Sequence, residues 1–182
     1  MAGSDLRRSL VLTGGPAVGK STTGHALARR RPRAAFVDAD DVRQLVVAGA
    51  QPLWHGPEGA AQHRLGAQNT TLLAASFVSA GFEVVVADVV TPSTAAVYRT
   101  GLPGCVIVHL VVTFAEARRR AATRPAWLTD DEFAFLHRSD NDDKPAVDRS
   151  LDVGSMSFAE QVDAIDDLWH SLVDPDDPGD PG

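Results

Sequence analysis

The chain is short of several residue types, and each shortage narrows what it can be. It has one cysteine in 182 residues, so an internal disulfide framework is excluded and a thiolate-built metal cluster has no material. That residue, Cys105, lies in the apolar run Cys105-Val106-Ile107-Val108 and reads as a buried structural thiol. No apolar run approaches the roughly 20 residues of a membrane-spanning helix. The opening MAGSDLRRSL lacks the apolar core and cleavage signal of a secretory leader. The expectation is a cytoplasmic protein with no membrane partner. Positive charge is also in deficit: seventeen basic residues, only two of them lysine, face 24 acids for a net charge of −7. Such a balance gives no footprint for duplex nucleic acid. Four of the acids lie in the last nine residues, DPDDPGDPG. That stretch has no apolar anchor and reads as a disordered acidic tail over 174–182.

The residues that are present form a regular alternation. Hydrophobic residues make up 44% of the chain, an ordinary share for a globular domain. Short apolar strands are predicted at Ser9–Thr13, Ala34–Asp38, 82–86, 106–112 and 150–153. Helices are predicted over 20–30, 41–48, 58–80, 114–124 and 158–172, several stopped by Gly or Pro. Continuous apolar strands separated by helices imply an α/β fold: a doubly wound, mostly parallel sheet of about five strands, covered on both faces. No repeat or linker interrupts residues 1–173, which read as one domain. The segment 125–148 is rich in Asp and Asn and carries no pattern that assigns it.

One motif is specific. Gly14-Gly15-Pro16-Ala17-Val18-Gly19-Lys20-Ser21 matches G-x-x-x-x-G-K-[ST], the Walker A pattern, between a predicted strand and a predicted helix. Glycines let the backbone curl until several N–H groups, from Gly14, Gly15, Ala17, Val18 and Gly19, face one phosphate. The next helix turns its positive end to the same anion. Lys20 is suited to the β- and γ-phosphates, Ser21 to magnesium, and Thr22 to a further phosphate contact.

Carboxylates gather at the ends of other strands. Asp88 comes after Val84-Val85-Val86-Ala87 and suits the Walker B role, holding magnesium directly or through water. Asp38, Asp40 and Asp41 end the second strand, where an open α/β sheet binds its ligand. Asp41 is placed to cap the next helix. Asp40, with Asp38 behind it, is placed to take a proton from an attacking hydroxyl. Arg43 lies one helical turn further on and suits an anionic part of the acceptor. Arg120 and Arg124, four apart on one helix face, suit a lid over the migrating phosphoryl group. Trp54 and His55 are candidates for the acceptor pocket, while His63 and Arg64 fall on a solvated helix face by default.

Together these features resemble the small P-loop kinases, which include gluconate, shikimate and chloramphenicol kinases, over most of residues 9–172. Val37-Asp38-Ala39-Asp40-Asp41-Val42-Arg43 resembles the acceptor-side D-x-D-x-x-R segment of gluconate and adenylylsulfate kinases. Aligned with the chloramphenicol phosphotransferases, Asp40 falls on their catalytic aspartate. Arg120-Ala121-Ala122-Thr123-Arg124 resembles the R-x-x-x-R of kinase lids. Leu151–Ser157 is similar to the family's adenine-side loop, which implies Gly154 and Ser155 near the base. One departure is Ala87, where related chains often carry a second acid before Asp88.

The resemblance implies a three-layer P-loop NTPase fold with a short helical lid. It implies ATP and Mg2+ as cofactors and transfer of the γ-phosphoryl to a hydroxyl of a small molecule by a monomer or homodimer. The acceptor is expected among antibiotics, nucleosides, nucleotides and sugars. The alternative is a nucleotide-dependent protein that sequesters a ligand without phosphoryl transfer.

Overall fold

The computed structural model describes residues 9–123 and 128–173. Arg124 and the expected tail lie outside the described residues. The elements in chain order are β1 (Ser9–Thr13), α1 (Lys20–Arg29), β2 (Ala34–Asp38), α2 (Ala39–Arg43), α3 (Gly56–Ser79), β3 (Glu83–Ala87), α4 (Pro92–Gly101), β4 (Val106–Val111), α5 (Phe114–Ala121), α6 (Asp130–Asp142), β5 (Arg149–Asp152) and α7 (Phe158–Val173).

Every strand pairing is parallel, in the order β2-β3-β1-β4-β5. Alternate residues of a strand point to opposite faces, and both faces here are apolar. Leu10 and Leu12 of β1 pack with Leu27 of α1 and with Val162, Ile165 and Trp169 of α7. Val11 between them packs with Ala67 and Ala74 of α3 and Tyr98 of α4. Each layer of helices thus covers one face, the doubly wound arrangement that the apolar strands require.

The register places the functional edge. Leu12 pairs with Ala87, Asp38 with Ala87, and Thr13 with His109. The carboxyl ends of β1 to β4 therefore lie side by side, and the segments that leave them meet in one crevice.

Three elements differ from the sequence expectation. The helix expected over 41–48 is α2, five residues long, and Asp38 caps it rather than Asp41. The Asp38 carboxylate accepts from the Asp40 N–H at 3.0 Å, so the turn forms as soon as β2 ends. Helices α4 and α6 have no counterpart in that expectation. Thr91–Thr94 and Thr129–Glu132 form capping boxes that start them. Neither has the apolar stripe by which a helix is usually recognised: α4 buries Thr94, Ala95 and Tyr98, and α6 buries Phe133. Among the described residues no helix is long and apolar enough to cross a membrane.

Candidate nucleotide and acceptor site

Leaving β1, the chain turns at Gly14 with φ 138°, where an added Cβ would lie 2.3 Å from the Leu110 carbonyl oxygen. Only glycine fits there. Ala17 (φ 60°) and Gly19 (φ 98°) also take left-handed conformations, and α1 begins at Lys20. The Lys20 ammonium donates to the carbonyls of Gly14 at 2.7 Å and Gly15 at 2.9 Å. Burial lowers its pKa, against the pull of Asp40, Asp140, Asp88 and Asp38. A curled backbone, a helix N-terminus and a lysine at its mouth fit a triphosphate. Ser21 and Thr22 stand exposed in the first turn of α1.

Asp88, just past β3, has a side chain with no solvent exposure. Arg43 Nη1 and the Val89 N–H both donate to its Oδ1 at 2.7 Å, and the Tyr98 hydroxyl donates to Oδ2 at 2.7 Å. A carboxylate offers about four lone-pair positions, and three of them are filled here. Arg43 also reaches outward, its Nη2 donating to Asp40 at 2.5 Å. One guanidinium thus ties the exposed Asp40 to the buried Asp88. Gly66 of α3 makes room for it: an added Cβ there would come within 2.7 Å of the Arg43 stem. Burial works against the Arg43 charge, but Asp88 and Asp40 overcome it and raise its pKa. Burial and Asp88 together hold Tyr98 well above its usual value, so it stays protonated and donates.

His63 corrects the sequence expectation. It is 4% exposed rather than solvated, and burial pulls its pKa down despite the nearby Asp88. Its Nε2 has no hydrogen-bond partner among the described residues. Of the two pocket candidates in the 44–55 loop, Trp54 is half-buried with its ring 6.4 Å from Phe135 of α6. His55 is exposed, its Nδ1 paired with Gln51 Oε1 at 2.8 Å.

Helix α6 comes close to the phosphate loop. His137 Nε2 lies 3.2 Å from the Val112 carbonyl, and Asp140 Oδ2 lies 2.9 Å from the buried His109 Nε2. Between these two pins α6 approaches Gly15, where an added Cβ would lie 3.5 Å from Asp140 Oδ2 and 3.7 Å from His137. Neither His109 nor Asp140 belongs to a local motif, so no sequence signal marks the pair.

On the other side of the loop, Arg120 is a tie. Its Nη2 donates to the Val153 carbonyl at 2.7 Å, and its Nη1 donates to the Val18 carbonyl at 3.3 Å. Gln161 of α7 donates to Thr23 Oγ1 at 2.9 Å and to the same Val18 carbonyl at 3.2 Å. Hydrogen bonds from Arg119 and Arg120 pull the Glu116 carboxyl down to about 2. Beside this knot lies a cleft of about 410 Å³, lined by Ala17, Thr22, Arg120, Met156, Phe158 and Gln161 among others. Gly154 and Ser155 sit in the loop just before Met156, where the Gly154 N–H donates to Asp152 at 2.8 Å. A cleft of similar volume, about 400 Å³, involves His25, Arg29 and Phe36 at the far end of α1 and holds no residue of the phosphate loop.

No family model matches the chain, and no curated protein matches it. Solved structures do. A gluconokinase from Sinorhizobium meliloti 1021 superposes with a TM-score of 0.70 at 18% identity, over 93% of this chain and 95% of its own. A shikimate kinase from Bacteroides thetaiotaomicron superposes at 0.64 and 18%, over 91% and 98%. A shikimate kinase from Acinetobacter baumannii in complex with shikimate superposes at 0.62 and 20%, over 90% and 93%. The fold is therefore that of the small P-loop kinases, a five-stranded parallel sheet with helices on both faces.

Proposed function

We propose that the protein transfers the γ-phosphoryl group of ATP to a hydroxyl of a small molecule. The observation that carries this reading is the shared crevice: Lys20 of the phosphate loop lies within electrostatic reach of Asp38, Asp40, Asp88 and Asp140. Donor and acceptor machinery thus face one another across a single edge of the sheet.

The loop amides and Lys20 hold the β- and γ-phosphates. Ser21 and, through water, Asp88 are the residues that would hold magnesium, which when bound supplies charge neutralisation at the phosphate oxygens. Asp40 accepts the proton as the acceptor oxygen bonds to the γ-phosphorus. The bond from that phosphorus to the bridging oxygen breaks, and ADP leaves. Asp88 fixes Arg43, which in turn holds the Asp40 carboxylate in place. Arg120, tied to Val18 and Val153, holds the loop's shape and walls the base cleft, and Arg124 is assigned to the lid. Gly154 and Ser155 border the adenine, while Asp38 and Trp54 border the acceptor, with His55 at the outer rim. Rate enhancement comes from position and charge.

The test is mass spectrometry of a panel of antibiotics, nucleosides and sugars incubated with the protein, ATP and Mg2+. One class of compound is expected to gain a phosphoryl group. Asp40→Asn is expected to lose roughly 10²–10⁴ in turnover while keeping its ATP affinity, the range for a lost general base. Lys20→Ala is expected to lose both. Full turnover in Asp40→Asn sinks the assignment of the base.

A further inference from the structure

We infer that the outer face of α3 and α4 docks a second copy of this chain, with the two α3 helices antiparallel and Leu65 of each against Leu72 of the other. This docking goes beyond the phosphotransferase reading and does not depend on it.

The face is marked first by what it lacks. Residues 65–82 run for 18 positions without a charged side chain, the longest such run in a chain that is 23% charged. The next longest, 100–115, contains the buried β4, whereas this one belongs mostly to a helix with a solvent side. A surface helix ordinarily turns its apolar stripe to the core and its charges to water. Helix α3 instead buries Gly66, Ala67, Thr70, Thr71 and Ala74. Its opposite side carries Leu65, Gln68, Asn69, Leu72 and Ser76, all exposed. Leu72 is 71% exposed and Leu65 47%.

The neighbours of α3 extend this surface. Helix α4 lies close beside it, where an added Cβ at Gly101 would come within 2.7 Å of the Thr71 Cβ. The exposed Pro92, Ser93, Ala96 and Thr100 of α4 add no charge, and its Arg99 is paired with Asp148 at 2.8 Å. On the other flank the 44–50 loop is tied to α3 by Gln62, which donates to the Gly49 carbonyl at 2.9 Å. That loop exposes Leu45 and Val47. Of the nine large apolar side chains exposed among the described residues, six lie within residues 45–73. A contiguous patch of this kind marks an interaction surface.

Charge selects the occupant. The chain carries −7, so two copies repel unless they meet through a neutral face. This face offers a charged protein nothing to pair with, and an anionic membrane no basic fringe. A second copy brings an equally neutral surface. The charges at the border then fix the direction. Glu58 stands in the first turn of α3 and Arg64 next to Leu65, while Arg33 donates to the Ala80 carbonyl at the far end at 2.9 Å. A parallel pair would set Glu58 on Glu58 and Arg64 on Arg64. An antiparallel pair centred between Gln68 and Asn69 sets Leu65 on Leu72, and Arg64 on Leu73. The same register lays Glu58 on Ser79, at the end that Arg33 holds. The amides of Gln68 and Asn69 meet and exchange hydrogen bonds. The two-fold axis repeats each contact, as a closed dimer requires. Helix α3 is about 36 Å long and α4 about 15 Å, so together they present on the order of 500 Å² per copy. A pair buries about 1,000 Å², the lower end for a specific interface. The dimer is therefore weak, with a dissociation constant of roughly 1–100 µM.

Sedimentation velocity of the full chain, from about 2 to about 500 µM, reads the association directly. The wild type is expected to pass from monomer to dimer across that range. Leu65→Lys and Leu72→Glu are each expected to weaken dimerisation at least tenfold. Melting temperatures taken at the lowest concentration are expected to change little, because both side chains are exposed. An equimolar mixture of the two variants is expected to recover a dimer. The antiparallel register sets position 65 of one variant against position 72 of the other, which pairs the introduced charges at one contact and leaves two leucines at the second. A monomer at every concentration overturns the inference, and so does a dimer that both substitutions leave intact. A dimer that each variant weakens and the mixture fails to restore overturns the antiparallel docking.

Discussion

At Asp88 a single buried carboxylate is held by three donors, and its energetics can be isolated one donor at a time. Arg43→Ala leaves that charge without a counter-ion, and the expected loss is about 3–5 kcal/mol of unfolding free energy, read from denaturant melts. Arg43→Lys is expected to recover only part of it, because an ammonium is a point charge and cannot bridge Asp40 and Asp88 as a fork does. Tyr98→Phe removes one hydrogen bond to a charged group and is expected to cost about 1.5–3 kcal/mol. His63 gives a pH signature. Its pKa is lowered from 6.5 in the folded chain by burial, so the unfolded chain takes up the proton first. Stability is therefore fully present above about pH 6.5 and declines as the pH falls below it. The melting temperature of His63→Gln is expected to fall less between pH 7.5 and 5.5 than that of the wild type. Of these residues, Lys20, Ser21, Asp40 and Asp88 are legible in the sequence, because each stands in a short motif or at the end of an apolar run. The pairing of Arg43 with Asp88 is not, since it joins positions 45 apart. The burial of His63 is hidden by a helix whose inward face is built partly of Gly, Ala and Thr.

Helix α6 is held at the site by Phe133 in the core, by ring contacts of Phe135 with Trp54 and of His137 with Phe114, and by two polar pins, His137 on the Val112 carbonyl and Asp140 on His109. His109→Phe keeps the volume but removes the second pin. Amide exchange in α6 is expected to quicken tenfold or more, with α1 unchanged; unaltered protection of α6 would show that the pin holds nothing. The strands are legible to within two residues because both faces of the sheet demand apolar runs. Helices α4 and α6 escape a reading by periodicity because their cue is a capping box and not a stripe, and a cap is a two-residue signal.

For the whole molecule, ligand binding and folding are linked. On the proposed reading, ATP and Mg2+ at about a hundred times their dissociation constant are expected to add ~2.7 kcal/mol. For a chain of this length that corresponds to roughly 5–11 °C in melting temperature. Lys20→Ala is expected to abolish most of that shift, and an equal shift in the variant would place the nucleotide elsewhere. The parallel, doubly wound class is legible in the sequence, but the strand order is not, because periodicity records which faces are buried and not which strands are neighbours. That order puts β1 in the middle of the sheet, with β3 and β2 on one side and β4 and β5 on the other. On the proposed reading the acceptor-side residues fall in one block, residues 34–102, and the adenine-side residues in another, residues 106–173, on opposite sides of β1. A block grafted from another chain of this fold would bring its own acceptor along and leave the nucleotide unchanged. The seam to be refitted would be α6, which belongs to the second block and lays Phe135 against Trp54 of the first.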